Sequence, residues 1–244
     1  ATRRLGTAFV VALALAVVVW IVNGNGPMLA MLGLAAGLWL ILGALTDLWL
    51  RANFTRAGLA NGVRRLAGLP RSTLGTALAH AGLGVSVLGV VIVTSWSTEN
   101  ILEMKPGEQT QGGPYTVRFE REVASKGPNY LEDAAVFTLI RNNAVVATTD
   151  SSKRVFNARQ MATTEAGITT FGLSQLYISV GDKTEDGKLV VRIWYKPWIL
   201  CVWGGALIMA LGGLISLSDR RLRVGAPAKR PRAVPTGSVL GAAE

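Results

Sequence analysis

Leu74–Ser95, reading LGTALAHAGLGVSVLGVVIVTS, contains no Lys, Arg, Asp or Glu. A run of this length crosses the hydrocarbon of a bilayer, which takes roughly 20 residues. A charge at the centre of such a helix would cost about 3 kcal/mol on insertion scales, so its absence is what spanning requires. Three more runs of the same kind flank it: Leu5–Val22, Met28–Leu50 and Trp198–Leu217, with Asp47 alone near the end of its run. Half of the 244 residues are hydrophobic, 16% are charged and the mean hydropathy is +0.37. That is too apolar for an ordinary soluble domain and too charged for a chain embedded throughout.

These runs predict four transmembrane helices, over 5–22, 28–50, 74–95 and 198–217. A basic loop, 51–73, joins the second to the third, and a basic tail, 218–244, is expected to be disordered. The first run has the basic start of a signal peptide in Arg3 and Arg4 but no small-residue cleavage site. A second run follows after only Asn23-Gly24-Asn25-Gly26-Pro27, so a helical hairpin is predicted. A first residue that is Ala1, not Met, raises the expectation of missing upstream sequence. Cys201 is the one cysteine. It excludes an intrachain disulfide and a CxxC pair, and in its apolar run it reads as inert.

Charge placement sets the sidedness. No acidic residue lies between Leu48 and Thr98, while Arg51, Arg56, Arg64, Arg65 and Arg71 crowd the connection between the second and third runs. From Trp96 to Trp194 eleven basic groups meet twelve acidic ones, whereas the rest of the chain holds fourteen against three. Basic short loops stay in the cytoplasm. Both termini and the 51–73 loop are thus predicted to face inward, and residues 96–197 to face the periplasm of a bacterial inner membrane. The surplus of +10 lies close to membrane exits, where anionic lipid accounts for it without nucleic acid.

Residues 96–197 alternate in polarity. Tyr115–Glu120 and Ala135–Ile140 read as period-two strands, and Asn142-Asn143 suits a tight hairpin. Arg154–Phe156, Ile168–Leu173, Leu176–Val180 and Leu189–Tyr195 are further strand candidates, and Met161–Ala166 reads as a short helical or irregular turn. The fold class expected is therefore a membrane α-helical protein with an inserted small all-β domain, an antiparallel barrel or sandwich. That domain has no histidine and no cysteine. Nothing in it proposes hydrolysis or a metal site.

The single histidine, His80, lies about 9 Å into its helix at 1.5 Å per residue, inside the membrane and nearer the cytoplasmic leaflet. An imidazole there needs a partner. Gly75, Ala79, Gly82, Ser86 and Gly89 form a small-residue stripe suited to close helix packing. His80 stands at its edge with Ala77 and Gly84, which leaves room for a flat ligand. Three readings stay open on the residues alone: a helix–helix hydrogen bond, a haem ligand, or a proton relay in transport.

An ordered set of residues narrows them. Leu78-Ala79-His80-Ala81-Gly82 precedes Pro106-Gly107, Tyr115, Phe119, Gly127-Pro128-Asn129-Tyr130, Lys153-Arg154, Thr164-Glu165-Ala166 and Leu176-Tyr177. Lys196-Pro197, Trp203-Gly204-Gly205, Gly212-Gly213 and Asp219-Arg220-Arg221 follow. From Leu74 to Arg223 this resembles the C-terminal part of the CcmF/NrfE family, the haem lyase (holocytochrome c synthase) subunit of cytochrome c maturation. The resemblance implies a b-type haem held between two transmembrane histidines, with His80 matching the second. It implies transfer of haem from the chaperone CcmE to the CxxCH cysteines of apocytochrome c outside the membrane, beside a CcmH/CcmI-type thiol-handling module. Lys153, Arg154 and Glu165 become candidates for contacts with haem propionates or a partner, set against an ordinary surface ion-pair role.

The departures are specific. The family's WxWD segment, its two flanking external histidines and its first transmembrane histidine do not occur in these residues, and Ser151-Ser152 stands where Pro-Glu is common. The chain is therefore expected to be a C-terminal segment or one half of a split protein, not active alone, with the N-terminal part of the lyase subunit supplying the rest. The competing expectation is a structural or docking subunit that binds no haem.

Overall fold

The computed structural model describes residues 2–24, 26–158 and 161–219. The tail from 220 onward, read above as disordered, lies outside the described residues. Among the described residues, five helices and nine strands follow the order α1 (Thr2–Val22), α2 (Met28–Ala52), α3 (Phe54–Ala67), α4 (Arg71–Trp96), β1 to β9, and α5 (Ile199–Leu217). Three of the described helices, α2, α4 and α5, are long and apolar enough to cross a membrane, while in α1 the apolar stretch is the shorter Gly6–Val22.

The helices pack through small residues. Ala8, Ala12 and Ala16, one turn apart on α1, are buried. Around Ala16, Leu34 and Ala35 gather Trp20, Leu88 and Trp96 at one end of the bundle. Between α4 and α5 the backbones meet almost directly. A Cβ on Gly75 would lie 2.5 Å from the Gly212 carbonyl oxygen, and one on Gly89 would lie 2.7 Å from the Val202 nitrogen. On the other side of α4, a Cβ on Gly84 would lie 2.6 Å from the Gly37 carbonyl oxygen of α2. Without a hydrophobic drive between helices in lipid, such close approach is what dispersion needs.

The 51–73 connection, expected to be a loop, carries α3. It starts at Asn53, whose left-handed backbone (φ 57°) ends α2, and it bends at Gly58 (φ 73°). Its arginines hid it, because a helix that lies at the end of a bundle needs no continuous apolar run.

Two antiparallel sheets form the β domain: β1 (Thr98–Met104), β9 (Leu189–Lys196), β8 (Ser174–Lys183) and β7 (Gly167–Phe171) in one, and β2 (Gln109–Gly112), β3 (Tyr115–Lys126), β4 (Tyr130–Arg141), β5 (Ala144–Phe156) and β6 (Ala162–Glu165) in the other, each in that spatial order. In β3 (Tyr115–Lys126) Tyr115, Val117 and Phe119 point inward. Leu176, Ile178 and Val180 of β8 (Ser174–Lys183) meet them from the opposite sheet, and Phe119 stacks on Phe137 with ring centres 5.2 Å apart. The domain is a sandwich. Asn142 and Asn143 both take positive φ (51° and 61°), the backbone of a tight hairpin turn. One sequence expectation is corrected. Within Met161–Ala166, read as helical or irregular, residues Ala162–Glu165 form strand β6 and pair with Ser152–Val155 of β5 (Ala144–Phe156). All four β6 residues are exposed. No alternation marked them.

Helices and sandwich are joined with little slack. Strand β1 (Thr98–Met104) leaves α4 after Ser97 and pairs with β9 (Leu189–Lys196), which leads into α5 through Pro197 and Trp198. The Trp198 N–H donates to Ser174 Oγ (3.2 Å) and the Leu200 N–H to the Leu173 carbonyl (3.1 Å). The first turn of α5 is thereby tied to the β7–β8 turn.

Candidate functional site

His80 faces a groove between α2 and α4. Its Nδ1 lies 2.8 Å from the carbonyl oxygen of Thr76, one turn earlier on the same helix. A carbonyl only accepts, so Nδ1 carries a hydrogen, the tautomer that in a neutral ring puts the lone pair on Nε2. A hydrogen bond of this type fixes the tautomer and orientation of a metal-binding imidazole. The groove has a volume of about 470 Å³ and is walled by Trp39, Leu40, Gly43 and Ala44 of α2 and by Thr76, Ala77 and His80 of α4. Asp47, Arg51, Ser72 and Thr73 line its other end, where α2 finishes and α4 begins. A Cβ on Gly43 would meet nothing within 4 Å, so the groove is open at that point. Phe9 of α1 packs edge-on against Trp39 (5.8 Å) and braces that wall.

This arrangement fits one face of a haem. It offers an oriented imidazole, an aromatic wall and a floor of Gly and Ala against which a flat macrocycle can lie. As the chain's single histidine, His80 is the one imidazole this chain could offer such a group. Among the described residues no group of three or more His, Cys, Asp or Glu could hold a metal ion.

Arg154 and Glu165 come together in the sandwich, as an ion pair that also includes Glu132. Arg154 Nε donates to Glu132 Oε1 (2.9 Å), its Nη1 pairs with Glu165, and its guanidinium lies 4.7 Å over the Tyr130 ring. Glu132 also accepts from Ser152 Oγ (2.6 Å) and Ser125 Oγ (3.2 Å). The Ser152 bond, then Arg154, holds the Glu132 carboxyl below the usual range. Lys153, next in sequence and therefore on the opposite face, pairs with Asp182. None of the three shares a site with His80, which lies sixteen residues of helix from Trp96, roughly 24 Å at 1.5 Å per residue.

Sequence reasoning missed Thr76, Arg51 and Glu132. Thr76 was readable in principle as the residue one turn before His80. The other two needed the pairing of α2 with α4 and of β4 with β5. Ser151 and Ser152, noted above as a departure, are 1% exposed. Ser151 Oγ donates to the Glu165 carbonyl (2.7 Å) and accepts from the Val180 N–H (3.2 Å), joining the two sheets.

Three apolar helices carrying a β-sandwich between α4 and α5 define a membrane protein with an inserted β domain. Comparison with known proteins is more specific. Residues 95–197 match the CcmF C-terminal beta-sandwich family. The chain is 55% identical over 96% of its length to the cytochrome c-type biogenesis protein CycK of Rhizobium meliloti (strain 1021). It is 30% identical over 88% of its length to the cytochrome c-type biogenesis protein CcmF of Escherichia coli (strain K12). A solved structure titled Cytochrome c Heme Lyase CcmF shares the fold, with a TM-score of 0.65 at 19% identity over 86% of this chain and 34% of that one. The chain belongs to the CcmF family and matches its C-terminal part. It spans about a third of the length of the curated relatives it matches, 34% of the CycK protein and 32% of the Escherichia coli CcmF.

Proposed function

We propose that this chain works in c-type cytochrome maturation as the part of a haem lyase that holds a b-type haem in the membrane through His80. The observation that carries the proposal is the imidazole itself. Thr76 takes its Nδ1 hydrogen, and Nε2 is left for iron beside a groove of about 470 Å³. A second ligand would come from a segment outside this chain, in keeping with relatives about three times as long. A b-type haem held through His80 would supply one-electron transfer.

The residues around it bind and orient. Trp39 and Ala44 shape the wall, Gly43 leaves the opening, and Thr76 sets the ring. In this reading α1, α2, α4 and α5 are four spans, both termini are cytoplasmic, and residues 96–197 stand in the periplasm above a bacterial inner membrane. Charge asymmetry supports that sidedness. The sandwich then faces the partners of the reaction: the haem chaperone CcmE, apocytochrome c and a CcmH/CcmI-type module. For Lys153, Arg154 and Glu165 the geometry supports the ion-pair role, since each charge is met within the sandwich.

Absorption spectroscopy of the intact, folded protein tests the ligand. His80→Ala is expected to abolish the b-type haem bands, and His80→Gly with added imidazole to restore them. A full haem signal in His80→Ala refutes the assignment.

A further inference from the structure

The His80 groove has two unlike ends. Around His80 it is walled by aromatic, Gly and Ala residues. Two helical turns away, eight residues or about 12 Å along α4, it is lined by Arg51, Ser72 and Thr73. Arg51 is the one cation on its lining. Its Nε donates to Asp47 Oδ2 (2.7 Å), and its two Nη groups have no partner among the described residues. The hydroxyls of Ser72 and Thr73 likewise have none there, in a part of α4 too early for the usual bond back to the i−4 carbonyl. Asp47, the acidic group on this lining, is already committed to Arg51. The groove thus presents a lone-pair donor at one end, a flat apolar middle and unspent hydrogen-bond donors with a guanidinium at the other.

We propose that the groove fixes the in-plane orientation of a carboxylate-bearing tetrapyrrole, with its acid groups turned toward the 51–73 connection and received by Arg51. The proposal rests on the reading of His80 as an iron ligand and adds a direction to it. A flat ligand held through one iron–imidazole bond can rotate about that bond. A guanidinium at a single edge of the groove removes that freedom, because its donor fork matches carboxylate oxygens and an ammonium does so less well. The apolar middle accepts only the ring body. Acid groups turned the opposite way would lie against Trp39 and Leu40, unpaired in lipid, which is strongly unfavourable.

The test compares haem with haem dimethyl ester, which keeps the ring and iron but loses both negative charges. Intact protein purified from membranes is stripped of pigment and titrated with each, and binding is followed by absorption. Arg51→Gln is expected to weaken haem binding about tenfold, the size of one charge-assisted hydrogen bond, while leaving the ester unchanged. Arg51→Lys is expected to recover part of the loss. An equal loss for haem and ester, or no loss for either, overturns the proposal, and elution as a monodisperse peak confirms that each variant is folded. His80→Ala separates the two ideas. If it abolishes binding while Arg51→Gln does nothing selective, the ligand stands and the orientation falls. If Arg51→Gln is selective while His80→Ala binds normally, the acid-end contact stands and the iron ligation falls.

Discussion

Glu132→Gln keeps size and shape and removes one charge from the centre of the sandwich network. The wild-type carboxylate accepts three hydrogen bonds: from Ser152 Oγ (2.6 Å), Arg154 Nε (2.9 Å) and Ser125 Oγ (3.2 Å). An amide has one accepting oxygen, so its NH2 must face at least one of these donors. If the oxygen stays with Ser152 and Arg154, the amide nitrogen still meets Ser125 and the charge assistance is gone. A hydrogen bond to a charged group contributes about 1.5–3 kcal/mol, and the Glu132 side chain is only 12% exposed, which limits relief by water. Arg154 keeps Glu165 and Tyr130, which softens the loss. The expected cost is about 2 kcal/mol. For a domain of this size each kcal/mol lowers the midpoint by about 4–8 °C, so the sandwich should melt about 8–16 °C earlier, read by near-UV circular dichroism of the intact protein. The pH dependence gives a second reading. Because folding lowers the Glu132 carboxyl, its contribution is complete above the unfolded glutamate value, about 4.3. It is lost as pH falls through the folded value. Glu120 is lowered in the same direction by hydrogen bonds from Thr138 and Arg118, so the acid slope should shrink in the variant but not vanish. A melting temperature within 2 °C of wild type, or an unaltered slope below about pH 4.3, would refute this account of the network.

Gly43→Leu places a side chain in open groove, since a Cβ there meets nothing within 4 Å. It should leave folding intact and reduce haem binding at least tenfold, measured by absorption titration. Gly82→Val drives a branched side chain onto α5, where even a Cβ would lie 2.6 Å from the Met209 nitrogen. The helices must separate, and the variant should lose its detergent-resistant fold, read by size-exclusion after heating. Asp219→Ala removes the acceptor of the Ser72 N–H (3.0 Å) in the first turn of α4. It should cost about 1 kcal/mol, seen as faster amide hydrogen exchange confined to that turn.

What could be read from the residues follows from which physical signals are local. Long apolar runs, with Asp47 as their one charge, marked α2, α4 and α5, because a charge at the centre of a span is costly in lipid. Alternation marked β3, β4 and β8 because each has one face in the core. The hairpin at Asn142-Asn143 showed because few residues accept a left-handed backbone. Strands β1, β2 (Gln109–Gly112) and β6 were missed for the converse reason. They lie at sheet edges, most of their residues are exposed, and pairing with a neighbour supplies their order. The groove was partly legible. His80 could be singled out as a lone imidazole in lipid, and its flat neighbours could be listed. Its polarity could not, because Arg51 and Thr73 lie on two helices whose antiparallel register exists only in three dimensions.

The small-residue stripe carries a lesson about what α4 does. Gly75, Ala79, Gly82, Ser86 and Gly89 predicted close helix packing, with room for a flat ligand beside His80, Ala77 and Gly84. In the fold that stripe is filled by α5. Ser86 Oγ donates to the Val202 carbonyl (3.0 Å), and a Cβ on Gly212 would lie 2.5 Å from the Ala79 nitrogen. The room for a ligand is on the next face, beside Ala77, whereas Gly84 on that face is closed by Gly37 and Ile41 of α2. Close packing on one side therefore serves the opening on the other. With α4 held by α5 at backbone distance, its opposite face cannot drift to close the gap that Gly43 and Ala44 leave. A loosened α4–α5 contact should then lower haem affinity even though no residue of α5 lines the groove.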